Sequence, residues 1–162
     1  MPRVTKAEFL ALKKKSEDRK AKRKAKARQL WGVAKAMTKT AIKKKLWTLV
    51  SLYVRMRDNY LYGKCRICGI RPIQCAYHLI PSNDGAATRY DPEAIVGGCD
   101  PCNYGERMHR FKYRLKHIEI FGAELIARLE AKATQIVKYS AADLLALCAY
   151  FKAKIESQDW KP

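Results

Sequence analysis

The chain has 162 residues and carries 34 Lys and Arg against 15 Asp and Glu, a formal net charge of +19. That length fits one compact domain with an appended arm, and no apolar run reaches the roughly 18 residues a membrane span needs. The N-terminus has no apolar signal-peptide core, so a soluble, intracellular protein with no membrane partner is expected.

The charge is unevenly placed. Residues 1–30 hold twelve Lys or Arg against Glu8, Glu17 and Asp18, a net of +9, and residues 31–64 add +7. From Cys65 onward the chain carries only +3. A basic half on a nearly balanced half points to a polyanion, because release of condensed counterions from phosphates drives binding at such charge density. DNA is the first candidate and RNA stays open. A merely solvated helix surface is the bland alternative, and an anionic membrane surface the weaker one.

Residues 5–30 are rich in Lys, Ala, Arg and Glu and read as a basic helical arm. Its Lys13, Lys14, Lys15, Lys20, Lys22, Arg23, Lys24, Lys26 and Arg28 are candidate phosphate contacts. From about Lys39, Ile42, Leu46, Leu49, Tyr53 and Met56 recur at helical spacing, with Val50 beside them. Thr40 is the expected N-cap, and the helix is expected to stop near Asn59, before Gly63. Trp47 and Tyr53 read as core. Lys43, Lys44 and Lys45 decorate the outside and join the candidate nucleic-acid contacts, as do Arg89 and Arg107.

Residues 64–103 lose helical period and are punctuated by Gly and Pro. Short strands are expected at Ile73–Ile80 and Ala94–Val96. A helix is then expected from about Asn103 to Ile120, ended by Phe121-Gly122, and a second from Ala123 to about Val137. His109 and His117 on the first of these read as surface or phosphate-contacting residues. Ser140 with Asp143 reads as a capping box for a last helix that buries Leu144, Leu145, Cys148, Phe151 and Ile155.

The most specific features are Cys65-Arg-Ile-Cys68-Gly69 and Cys99-Asp-Pro-Cys102-Asn103. Two Cys-x-x-Cys turns place four thiolates tetrahedrally around zinc, and with no open position the ion is structural. Buried thiols or a redox pair are the alternative. Cys75 and Cys148 are left over. Between the pairs lies Ala76-Tyr77-His78-Leu79-Ile80-Pro81. His78 at a strand end, opposite a helix opened by Asn103, suggests a neutral imidazole that deprotonates water beside a phosphate.

The order Cys-x-x-Cys-Gly, His-x-Ile-Pro, Arg89-Tyr90-Asp91, Cys-x-x-Cys-Asn resembles the HNH (His-Me finger) endonucleases. More narrowly it resembles the lambdoid phage NinG, or Rap, recombination nucleases. Further likeness lies in Lys45-Leu-Trp47, Tyr53 to Asp58, Tyr113-Arg-Leu, Phe121-Gly122 and Lys138 to Leu144, so that it spans roughly residues 40–157 and leaves 1–38 outside. The resemblance implies an α+β fold. A zinc-stapled ββα-metal core (62–112) and C-terminal helices (113–157) would lie in a domain at 39–162, preceded by the arm at 1–38. It implies a metal-dependent endonuclease acting on branched, Holliday-junction-type DNA, homodimeric, in the cytoplasm of a bacterial host. His78 would be the general base, and Asn103 would hold Mg²⁺ or Mn²⁺ against the scissile phosphate. Three positions depart from the pattern. Tyr77 stands where many HNH enzymes carry a metal-binding Asp or His, Ala94 where an Asn is usual, and Tyr104-Gly-Glu-Arg107 follows the second knuckle. Asp84 or Glu106 could replace the missing carboxylate, or be solvated surface charges. A non-catalytic, zinc-stabilised DNA- or RNA-binding protein on a degenerate HNH scaffold is the alternative function.

Overall fold

The computed structural model describes residues 14–15, 17–25, 37–81, 83, 85–158 and 160. Lys13, Lys26, Arg28 and Asp84 lie outside the described residues, as does the side chain of Arg107. In the arm, residues 17–25 form an exposed helix. The remaining elements are α1 (Lys39–Tyr62), β1 (Cys75–His78), β2 (Ile95–Gly98), α2 (Asp100–Met108), α3 (Arg110–Phe121), α4 (Ala123–Ala133) and α5 (Ala141–Ser157). Mixed helix and strand is the class the sequence suggests.

Thr38, not Thr40, caps α1. Its hydroxyl accepts from the Ala41 amide at 3.2 Å, an interaction generally worth about 1 kcal/mol. The helix runs past Asn59 to Tyr62 and stops where Gly63 takes a left-handed φ of 69°. The Gly63 amide then donates to the carbonyls of Asn59 and Asp58, the turn that glycine makes without a Cβ penalty. Ile42, Leu46, Val50, Tyr53 and Val54 form the buried stripe, while Leu49 and Met56 are half-buried at its margin. Burying each large apolar side chain contributes about 1.5–3 kcal/mol.

β1 is shorter than the expected Ile73–Ile80, and β2 starts one residue later than the expected Ala94–Val96 and ends two residues later. β1 and β2 are antiparallel, with Ala76 opposite Gly97 and His78 opposite Ile95. Alternation along a strand sends neighbours to opposite faces, and two cores result. Ala76 and Ile95 join α1, Leu144, Leu145, Cys148 and Phe151 on one side. Tyr77 and Val96 join the knuckle cysteines, Leu79, Ile80, Ile126 and Leu129 on the other.

The hairpin is pinned to α1 by buried charge. Asp58 is 1% exposed; its Oδ2 accepts from the Gly97 amide at 2.6 Å and its Oδ1 from Arg57 Nε at 2.6 Å. Arg57 continues to the carbonyls of Pro92 (2.8 Å) and Ile95 (2.9 Å). Both groups are thus held by hydrogen bonds beyond their own ion pair, the condition under which a buried pair is tolerable. A Cβ at Gly97 would lie 2.8 Å from Ile73 and 3.0 Å from the Asp58 Cβ, so the close approach depends on glycine.

The single helix expected over 103–120 is two. It begins earlier, at Asp100, and breaks at His109, whose φ of −136° and ψ of 52° are not helical. The break folds Tyr113 back on α2, and a Cβ at Gly105 would meet its hydroxyl at 2.4 Å. α4 ends at Ala133 rather than near Val137. The Ser140–Asp143 capping box of α5 is present in both directions. No described helix is long and apolar enough to cross a membrane.

Candidate functional site

The two cysteine pairs converge. The first follows α1 on a loop, where Gly69 takes a φ of 67° and its amide donates to the Cys65 carbonyl. The second straddles the start of α2, with Cys99 as its N-cap and Pro101 in its first turn. The four Sγ atoms of Cys65, Cys68, Cys99 and Cys102 lie within 4.8 Å of one another, and Cys68 and Cys99 are 3.9 Å apart. A tetrahedron of sulfurs about 2.3 Å from zinc has edges of roughly 3.8 Å, so this donor set fits zinc. Cys65 Sγ also accepts the amides of Ile67 (3.4 Å) and Cys99 (3.3 Å), bonds that fix its position as a ligand.

The spare cysteines stay outside this cluster. Cys75 Sγ bonds the Gly98 carbonyl at 3.5 Å, and burial followed by the Asp100 carboxylate pushes its thiol up to about 11. Cys148 belongs to the α1–α5 core, and burial raises its thiol as well.

His78 ends β1 on the face toward α1 and opens into a cleft of about 610 Å³. The indole of Trp47 stacks on its imidazole, with ring centroids 4.9 Å apart and planes 13° apart. Trp47 is therefore half-buried and against His78, not simply core. His78 Nε2 lies 3.2 Å from the Arg89 carbonyl. A carbonyl only accepts, so the ring proton sits on Nε2 and Nδ1 keeps its lone pair. Burial is the largest influence on this ring and lowers its pKa from 6.5. The Arg89 charge acts the same way, and the bond to the Arg89 carbonyl partly opposes both. A neutral imidazole at pH 7 with one bare nitrogen is the form a proton acceptor needs.

Asn103, in the first turn of α2, lines the same cleft. Lys43, Lys44 and Arg89 line it too, whereas no described lining residue is an Asp or Glu. The local field therefore favours a phosphate. Lys45 is exposed on α1 but is not among the residues lining the cleft, and its charge reaches Cys148 instead. Glu106 is placed elsewhere, in a separate cleft of about 420 Å³ with Arg110 and His117. Glu106 follows Asn103 by one turn of α2 but is not among the described residues that line the cleft of Asn103.

Tyr77 does not face the cleft. It is fully buried on the other side of the hairpin, and its hydroxyl lies 2.6 Å from His117 Nε2. His117 is not a surface or phosphate-contacting residue, being 2% exposed. Burial lowers its pKa to about 4, the Leu79 backbone bond opposing. Burial also raises the Tyr77 phenol. Both groups are neutral, so the phenol donates to the imidazole. At Ala94 the backbone does the ordering: its carbonyl accepts from the Leu79 amide at 2.9 Å, just after His78.

Trp47, Asp58 and the Tyr77–His117 pair build the site without any local signal of that role in the sequence. Trp47 reads as apolar core and Tyr77 as the occupant of a missing metal-ligand position, and their partners are 31 and 40 residues away in the chain.

The family model for the Bacteriophage Lambda NinG protein matches residues 3–160. No curated protein and no solved structure matches. The match reaches further than the residues 40–157 that carry the sequence resemblance, and it includes the arm, whose Lys- and Ala-rich composition supplies few distinctive positions. With a match over nearly its whole length, the chain belongs to the NinG family.

Proposed function

We propose that this protein is a phosphodiester hydrolase for branched DNA, with His78 as its general base. NinG membership suggests a phage recombination role, and the ordering β1–β2–α2, with one cysteine pair before β1 and the other at the start of α2, supports the HNH reading of the core. The observation that carries the proposal is His78 itself. Its Nε2 is committed to the Arg89 carbonyl, its Nδ1 is unprotonated, and Lys43 and Lys44 stand in the same cleft.

In the reaction, a phosphate enters beside Lys43, Lys44 and Arg89, which offset its charge. His78 Nδ1 removes a proton from water as the water oxygen bonds to phosphorus. The P–O bond to the leaving sugar oxygen breaks, and that oxygen takes a proton from the imidazolium or solvent. Asn103 would contribute its amide oxygen to Mg²⁺ or Mn²⁺, with phosphate oxygens and water supplying the rest. Such an ion supplies charge stabilisation on the phosphate when bound.

The absence of a carboxylate among the described cleft residues favours a second reading, a zinc-stabilised clamp that binds without cutting. Cleavage of a labelled four-way junction, against linear duplex, separates the two.

Two further results are expected. Deleting residues 1–30 should weaken binding to all DNA substrates alike. It should also flatten the slope of log K against log salt by about 0.9 for each phosphate that the arm no longer neutralises. An unchanged slope would remove the arm from the interface. Trp47→Leu should keep the apolar packing but not the ring stack, slowing cleavage roughly 10–100-fold at unchanged junction affinity. Trp47→Phe should restore most of the rate. Equal rates in both variants would show that the stack does not hold the base in place.

A further inference from the structure

The elbow between α2 and α3 carries exposed apolar side chains that the site leaves unused. Met108 is the last residue of α2 and Phe111 the second of α3, and they flank the non-helical His109. Met108 is 61% exposed and Phe111 75% exposed. Tyr104, one turn before Met108, and Leu115, one turn after Phe111, are exposed too. Phe111 stands at the rim of the cleft that Glu106 and His117 line, yet it and Met108 stay largely exposed, and a patch of exposed large apolar side chains marks an interaction site.

The surroundings say what kind. His109, Arg110 and Lys112 at the elbow are exposed, and the whole chain carries +19. A second copy would bring like charge against like charge, whereas a polyanion with apolar surface of its own would be attracted. Nucleic acid has that surface only where bases are unstacked. Proteins that kink duplexes insert Phe, Leu, Ile or Met between base steps, with cations on the flanking phosphates. The elbow is also tied to the cleft, because α2 carries Asn103 in its first turn and Met108 in its last.

We propose that Met108 and Phe111 form a wedge that enters DNA at a branch point and stacks on the bases exposed there. This rests on the nucleic-acid part of the proposed function but not on cleavage. A duplex offers no open step without an unstacking cost, whereas a branch does, so the wedge supplies branch preference.

The test uses the full-length protein without divalent ions, so that binding is read alone. The probes are a four-way junction with 2-aminopurine at the branch and a linear duplex with the same label. The wild type should bind the junction roughly tenfold or more tighter than the duplex, since stacking on one base is worth about that factor, and should quench the 2-aminopurine emission only at the branch. The double variant Met108→Ala, Phe111→Ala should bind duplex as the wild type does and lose both the preference and the emission change. Phe111→Trp should keep them. Because both side chains are exposed, melting temperature should hold, confirming an intact fold. Retained branch preference in the double variant would overturn the wedge. So would a concentration-dependent dimer, seen by sedimentation, that the double variant abolishes, since the elbow would then belong to a second copy. A wild type that shows the preference but cuts in neither Mg²⁺ nor Mn²⁺ would sink the nuclease reading and leave the wedge standing.

Discussion

Replacing His78 with Ala is expected to lower the rate of junction cleavage by roughly 10²–10⁴-fold, the usual contribution of a positioned general base. Affinity for the junction should change little, because the phosphate contacts come from Lys43, Lys44 and the arm. The argument is geometric first. The Arg89 carbonyl holds the Nε2 proton at 3.2 Å and Trp47 fixes the ring plane, so Nδ1 can point only where the cleft allows. Electrostatics adds the protonation state. Burial lowers the imidazole pKa below its ordinary 6.5, so the base is competent at neutral pH, and cleavage should fall only as the pH drops through that lowered value. A His78→Gln variant, which retains polar atoms without a titratable base, should be as slow as the alanine and should lose the acidic limb. A His78→Ala protein that nicks at the wild-type rate would remove His78 from the chemistry. Tight junction binding with no nicking by either protein, in Mg²⁺ or in Mn²⁺, would make the molecule a clamp.

How much of the molecule is legible in its sequence depends on whether a feature is local. The four-cysteine cluster is legible because each Cys-x-x-Cys pair is a single turn, and the α5 capping box lies within four residues. His78 and Asn103 pair through their expected strand and helix ends, and they do line one cleft. Side-chain direction is harder. Tyr77 looks like a missing metal ligand when aligned as the residue before His78, yet strand alternation turns it into the other core, where His117 accepts its hydrogen bond. A hydroxyl in that core needs a buried acceptor, and nothing local announces which one of the three histidines supplies it. Glu106 sits one turn beyond Asn103 and lines a different cleft, a placement that helical spacing alone does not announce. The break at His109 has no Gly or Pro to signal it; it follows from Tyr113 packing on Gly105, a contact across the bend. Asp58 is equally silent, because a carboxylate in the last turns of a helix reads as solvated until Gly97 is seen to approach it.

Losing one zinc ligand should cost the hairpin side of the molecule its structure. Cys99→Ser is expected to abolish stoichiometric zinc and to leave residues 65–102 without amide-exchange protection. A structural zinc contributes about 10–16 kcal/mol in zinc-finger peptides at neutral pH, as much as the whole stability of a typical domain. Here all four thiols sit in one core cluster with Tyr77, Leu79, Ile80, Val96, Ile126 and Leu129. Without the ion that cluster keeps buried sulfurs that no longer share a partner, and the loop around Gly69 loses its main tie to α2. The other core does not contain the zinc cysteines. Ile42, Leu46, Val50, Leu144 and Phe151 join α1 to α5 on their own, so amides of those helices should stay protected longer than those of the hairpin. Chelation of the wild type should reproduce the same pattern and abolish cleavage by displacing β1, and hence His78. Cys75→Ser provides the control. Its thiol bonds the Gly98 carbonyl outside the cluster, so it should retain full zinc and near-normal melting. A Cys99→Ser protein with unaltered zinc content and melting temperature, or a Cys75→Ser protein that loses its zinc, would show that the four thiols do not form the metal centre.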